Sequence, residues 1–259
     1  MCESNFNDYG VDSEYHVDRP PMRHLRILHF SDMHGQTSLL EGCPSPEHFD
    51  AVVCTGDLCP NKTRGKRKSE IPFQREWTIN HIPWFQRLCG KKPFLLTRGN
   101  HDFFDVCSIL KRSGVFAHAL ERQPYGDGPF SLHGVVFAGL PHIPFIAGEW
   151  NFEAHPGAEL RYQTDLALEP DPHVLAAHCP PYGVLDGSDC GDHFGNAPLS
   201  NIIAFEKPKR LHTILCGHVH SHGGQHAYDP TIGVHVFNSA TTWQLMKIPT
   251  PEFVGQRRV

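Results

Sequence analysis

None of the apolar runs in the 259-residue chain approaches the roughly 20 residues needed to cross a bilayer, so no membrane role is expected. No C-x-x-C occurs, and the nine cysteines are an odd number, so neither a zinc knuckle nor a regular disulfide framework is indicated. Cys54, Cys179 and Cys216 fall in or beside apolar strand patterns, where a thiol packs as a small hydrophobe, and a reducing, cytoplasmic setting is expected. Positive charge is not in excess: the formal net charge is -5, so the surface as a whole does not advertise nucleic-acid binding. Residues 1–21 are acidic and polar, without the basic and apolar regions of a signal peptide. Repeats, low-complexity tracts and linkers are also missing. The expected organisation is an N-terminal extension over 1–22 and a single domain over 23–259, with no signal of oligomeric state.

Histidine, by contrast, is abundant at 20 residues and scattered along the chain. That supplies ligands, and it also makes any single His-x-His weak evidence. The informative feature is an ordered series: Asp32-x-His34, Gly56-Asp57, Gly99-Asn100-His101-Asp102, His178 after an apolar run, and Gly217-His218-x-His220. Nearly every member follows a segment that reads as a strand. Such segments lie at 25–30, 50–55, 93–97, 173–177 and 211–216, short apolar runs suited to strands buried on both faces. A further strand is predicted at 234–237. The pair 130–132 and 135–138 flanks His133-Gly134, a two-residue hairpin turn. Helices are predicted over 72–89, broken near Pro83, and over 102–111, 158–168 and 198–205. In the first, Phe73, Trp77, Trp84, Phe85 and Leu88 recur at helical spacing, interrupted by Asn80 and His81, and Trp77, Trp84 and Phe85 are read as core packing. Loops are expected at 139–152 and 182–196. Alternating strands and helices that give way to hairpins predict a mixed α/β domain of two packed sheets with helices outside.

Ligands at the carboxyl ends of central strands converge on one edge of such a sheet stack. Aspartate supplies charge and can bridge two ions, imidazole suits zinc, iron, manganese or nickel, and an asparagine carbonyl adds a neutral oxygen. In this order the motifs resemble those of the calcineurin-like metallophosphoesterase family, over roughly residues 24–243. The segments around Pro141-His142, Trp150-Asn151-Phe152, His178-Cys179-Pro180-Pro181 and Gly217–Gly224 are most similar to its short branch related to class III cyclic-nucleotide phosphodiesterases. The resemblance implies a four-layer α/β/β/α sandwich of two mixed sheets flanked by helices. It implies two divalent ions per chain (Mn, Fe, Zn or Ni), one held by Asp32, His34, Asp57 and His220, the other by Asp57, Asn100, His178 and His218. Asp57 would bridge them, and His101 would be the catalytic histidine beside the substrate phosphate and leaving group, with Asn100 also at the substrate. Ser/Thr protein phosphatases carry an Asp-Arg-Gly run after the Gly-Asp motif. Here Leu58-Cys59-Pro60-Asn61-Lys62 follows, which removes the acidic partner that orients their catalytic histidine. Asp102 is expected instead to cap the helix it begins.

The implied activity is hydrolysis of a phosphodiester or phosphomonoester through a hydroxide shared by the two ions, with a small phosphorylated substrate such as a nucleotide. A phosphodiesterase is favoured. A nuclease of the same family is the alternative, and a non-catalytic protein-binding scaffold is a lower-ranked one. Several residues stay open at this level. His178 alone could be a satisfied core histidine. His142, in the aromatic loop, is a candidate substrate contact. The basic run Lys62, Arg64, Lys66, Arg67 and Lys68 is either a solvated loop or an attractant for phosphate. Arg98 could meet a phosphate or pair with a carboxylate.

Overall fold

The computed structural model describes residues 24–251 apart from positions 64, 189 and 207. The extension expected over 1–22 lies outside these residues. Along the chain run β1 (His24–Ser31), β2 (Ala51–Cys54), α1 (Arg67–Asn80), α2 (Ile82–Cys89), β3 (Phe94–Leu96), α3 (Val106–Arg112) and β4 (Ala117–Ala119). Then follow β5 (Phe130–Leu132), β6 (Val135–Leu140), β7 (Ile143–Pro144), β8 (Glu153–Ala154), α4 (Ala158–Leu168), β9 (Val174–Ala177) and α5 (Ala197–Glu206). The last elements are β10 (Thr213–Cys216), β11 (Gln225–Asp229), β12 (Val234–Asn238) and β13 (Thr242–Pro249).

Two large sheets form, in the orders β13-β1-β2-β3-β4 and β11-β12-β10-β9-β6-β5, and β7 and β8 pair in a small third one. The interior strands pair in parallel, while β13, β11 and β5 add antiparallel edges. The side-chain period of two sorts each strand between neighbours. Leu25, Ile27, Ala51, Val53 and Leu95 of the first sheet pack on Phe137, Val174, Ala176 and Leu215 of the second. The alternate set Leu28, Phe30, Val52, Cys54, Phe94 and Leu96 packs on Phe85, Leu88, Val106 and Leu110 of α2 and α3. The second sheet's outer face, with Leu175, Ala177 and Ile214, meets Ala167, Leu199, Ile202 and Ile203 of α4 and α5. The result is helices, sheet, sheet, helices: the two packed sheets with outer helices that the strand pattern predicts, and the four-layer sandwich that the resemblance implies. Because β1, β2, β3, β9 and β10 are mutually parallel within their sheets, their carboxyl ends set the motif-bearing turns along one edge. The hairpin at His133-Gly134 is present, with φ of 47° and 78°, the left-handed pair that its turn type needs.

The break expected near Pro83 is present: the stretch forms two helices, separated at His81, with Pro83 in the first turn of α2 where its missing N–H costs little. Other elements differ from expectation. α1 begins five residues early, at Arg67, and buries Glu70, Gln74 and Thr78 rather than an apolar stripe. Of the aromatic stripe, Phe85 and Leu88 are buried, whereas Phe73, Trp77 and Trp84 are half-buried. The helix expected from 102 starts at Val106, and its cap is Asp105, which accepts from Ser108 N. Asp102 is therefore no helix cap. Its carboxylate is drawn inward by three backbone donors, Gly99 N at 2.9 Å, Cys59 N at 3.0 Å and Leu58 N at 3.3 Å. No described helix is long and apolar enough to cross a membrane, and all eight described cysteines are free.

Candidate functional site

Each motif residue leaves its strand through a turn that the backbone must bend sharply to make. Asp32, His34, Asp57 and His218 have φ of 56°, 46°, 50° and 65°. For residues other than glycine this region costs on the order of 1–3 kcal/mol each, and such strain persists where the surroundings over-determine it. Space is equally tight. A Cβ on Gly217 would lie 2.1 Å from Asp32 Oδ2, and one on Gly99 would lie 2.2 Å from Asp57 Oδ1. Only glycine lets the turns after β3 and β10 approach these two carboxylates.

The turns bring the two aspartates and a ring of histidines together. Three groupings of ligand atoms lie within 4.8 Å of one another: Asp32, His34 and His220; Asp32, Asp57 and His178; and His34, Asp57 and His101. His220 Nε2 lies 3.2 Å from Asp32 Oδ1. His178 Nε2 lies 3.5 Å, and His34 and His101 Nε2 3.9 Å, from the same oxygen, Asp57 Oδ2. Asp57 thus stands between the His34 side and the His178 side. Asn100 Oδ1 is 2.9 Å from His178 Nε2. His218 touches the cluster differently: its backbone N donates to Asp32 Oδ2 at 2.9 Å, and its ring sits edge-on to His178 at 5.0 Å. His218 is in none of the three groupings, whereas His101, given the catalytic rather than a ligand role by the resemblance, is in one.

The donor set fits a divalent cation on chemical grounds. His178 Nδ1 lies 2.7 Å from the Thr55 carbonyl, which can only accept, so Nδ1 carries the hydrogen. Once a cation displaces the ring's other proton, Nε2 would offer a lone pair to the region that Asn100 Oδ1 and Asp57 Oδ2 also face. Burial alone would lower the pKa of His178, yet the neighbouring Asp57 carboxylate outweighs it and lifts the imidazole to about 9. Burial likewise opposes ionisation of Asp57 and Asp32, but the histidines around them win and hold both below the usual carboxylate range. The cluster demands positive charge. His218 responds oppositely, lowered to about 4 by burial and by His178. Asp102, just behind, is raised to about 6 by burial and by the Asp57 charge.

Around this centre sit residues that the motif pattern does not name. Asn61 Oδ1 is 2.6 Å from His101 Nδ1, in the place where an acidic partner was expected to be missing. Gln74 Nε2 donates to His101 O at 2.7 Å, and its Oε1 accepts from Phe103 N at 2.7 Å. Trp150 lies on the His101 ring, with centroids 4.0 Å apart, and Asn151 N donates to Asn100 O at 2.9 Å. The only sequence signal for Asn61 was its place four residues after Asp57; nothing marked Gln74. Arg98 pairs with a carboxylate: its Nε donates to Glu121 Oε1 at 3.0 Å, and its guanidinium lies over Phe152. His142 is not in the cluster. It lines a separate cavity of about 250 Å³ with Glu121, Tyr125, Tyr162 and Gln163, beside the carboxyl end of β6, the strand next to β9. Burial lowers His142 to about 4. His222 bonds Gln225 at 3.0 Å.

The fold agrees with comparisons to known proteins. A crystal structure of a Staphylococcus aureus protein assigned as a 5'-nucleotidase, in complex with alpha-ketoglutarate, superposes with a TM-score of 0.51 at 13% identity, covering 89% of this chain and 52% of that one. The Thermus thermophilus sulfate thiohydrolase SoxB, in complex with glycerol, aligns more loosely, at a TM-score of 0.41 and 13% identity over 92% of this chain and 58% of its own. The chain thus spans little more than half the length of these two proteins. No curated protein matches the sequence. The Metallophos family, described as calcineurin-like phosphoesterase, matches residues 25–222, well over half of the chain. With its motif-bearing strands, its two-sheet sandwich and its Asp/His cluster able to bind metal, the chain belongs to the calcineurin-like phosphoesterase family.

Proposed function

We propose that the protein is a metal-dependent phosphoric ester hydrolase of small phosphorylated substrates, with phosphodiesters favoured and a nucleotide among the candidates. The observation that supports this most strongly is the convergence of His34, Asn100, His178 and His220 around the Asp32 and Asp57 carboxylates at the sheet edge. In this reading Asp32, His34, Asp57 and His220 hold one divalent ion (Mn, Fe, Zn or Ni), and Asp57, Asn100, His178 and His218 the other. Such ions would supply a water of lowered pKa and neutralise charge on phosphoryl oxygens.

The chain's own residues do the rest. Asp57, placed between the two histidine sides, keeps the ligands in register. Asn100, held through its carbonyl by Asn151, turns its amide toward the substrate phosphate. His101 presents Nε2 to the same space and hydrogen-bonds the oxygen that departs from phosphorus. Trp150 covers one face of the ring and keeps bulk water from it. Purified protein should carry close to two metal ions per chain and hydrolyse bis-p-nitrophenyl phosphate in a chelator-sensitive way. A metal-free protein inert with every added metal would sink this reading.

The nuclease alternative is supported by one placement. Lys62, Lys66, Arg67 and Lys68 are exposed beside the site, and Arg67 Nη1 reaches Asn151 Oδ1 at 3.3 Å. A substrate panel of cyclic nucleotides, nucleotides, phosphoproteins and single-stranded DNA separates the two. Tight binding to DNA that weakens steeply with salt would favour the nuclease.

A further inference from the structure

His101 is gripped on every side but one. Asn61 Oδ1 faces its Nδ1 at 2.6 Å, Trp150 covers its face at 4.0 Å, and His34 meets it edge-on at 4.8 Å. The Asn61 amide has its own orientation fixed. Its Nδ2 lies 3.2 Å from the His101 carbonyl oxygen. A carbonyl can only accept, so the NH₂ must face it, and Oδ1 must face the ring. Flipping the amide would set oxygen against oxygen. With Oδ1 as an obligate acceptor, the hydrogen between Asn61 and the ring belongs to Nδ1. Nε2 is then the nitrogen left for chemistry, on the side of Asp57 Oδ2, 3.9 Å away.

We infer that Asn61 is the positioning residue of His101: a neutral amide, bonded at once to the ring and to the backbone of the same histidine, that keeps a hydrogen on Nδ1, so that a second proton taken up from solvent sits on Nε2, aimed at the leaving oxygen that receives it. The loop carrying Asn61 is itself anchored. Glu70, buried on α1, accepts from Lys62 N at 2.9 Å and Thr63 N at 2.6 Å. Glu70 therefore holds the two residues after Asn61, and Gln74, one turn further along α1, holds the His101 carbonyl. A carboxylate in the same place would also accept from Nδ1, but it could not donate to that carbonyl. The device needs an amide.

This inference rests on the hydrolase reading for its catalytic half only, so two readouts are needed. Nitrogen NMR of the full chain, loaded with diamagnetic zinc, reads the ring directly, with His101→Ala identifying the resonances. The expected wild-type pattern is hydrogen on Nδ1; Asn61→Asp retains it, and Asn61→Leu loses it. Hydrogen on Nε2 alone in the wild type overturns the inference whether or not the protein is active. In turnover, Asn61→Leu should lower kcat by ~10²-fold, the scale of a misaimed catalytic group, with KM and metal content little changed. Wild-type kcat in that variant overturns the catalytic half. A wild type without hydrolytic activity sinks the hydrolase reading instead and leaves the nitrogen pattern to stand or fall by itself.

Discussion

At the residue level, the two kinds of group in the site differ in how they announce themselves. A candidate metal ligand is defined by its own chemistry, so Asp32, His34, Asp57, His178 and His220 could be picked out wherever they followed a strand. A residue that acts through hydrogen bonds is defined by where its neighbours run, and that depends on turns the sequence does not spell out. Asn61 and Asp102 show this. One was part of a run noticed only for lacking an acid, and the other was expected at a helix start, whereas three backbone N–H groups hold it inward. His101 lies between the two kinds. If it serves the leaving group and does not hold metal, His101→Ala keeps the metal stoichiometry by elemental analysis and loses at least ~10²-fold in turnover. Loss of metal in that variant would instead give weight to its place beside His34 and Asp57.

Among elements, α1 departs furthest from expectation. Its apolar spacing suggested a helix packed by aromatics, but the buried face is Glu70, Gln74 and Thr78. Hydropathy patterns register apolar faces and are blind to a polar face buried for its hydrogen bonds. This face spans from the loop at 62–63 to the backbone around His101, bracing the turns that carry two of the motifs. Gln74→Leu keeps the volume but strands Phe103 N and removes a donor from His101 O. Each buried group left without a partner costs about 1–3 kcal/mol, so the urea midpoint should drop and turnover should fall with it. An unchanged midpoint would show that water replaces the amide at no cost. The strands β4, β11 and β13 escaped prediction for a different reason. β4 has three residues, and the exposed pattern of β11 (Gln225, His226 and Tyr228 outward) carries little apolar alternation to read.

For the whole molecule, buried histidines tie stability to pH. Burial pushes His29, between the sheets, down to about 3, and His212 down to about 4. In an unfolded chain both titrate near 6.5. Below that value the unfolded state takes up protons that the folded state refuses, so stability falls as the pH drops, by about 1.4 kcal/mol per pH unit for each histidine. The loss ends only near the folded values. Urea midpoints measured between about pH 7.5 and pH 4.5 should decline, and replacing His29 with Gln should flatten the slope. Equal midpoints across that span would contradict the sign. The architecture itself was the most legible level, because five short apolar strands, each ending in a turn that bears a motif, leave few ways to stack.

The family match stops at residue 222, but the molecule is not finished there. What comes afterwards supplies β12, the outer companion of the strand that delivers His218, and β13, which lies along all eight residues of the strand that delivers Asp32. Cutting the chain at the boundary of recognisable homology would turn both into naked edges, open to pairing with foreign strands. Anyone seeking a minimal working fragment would have to carry these last strands along with the motifs they shelter.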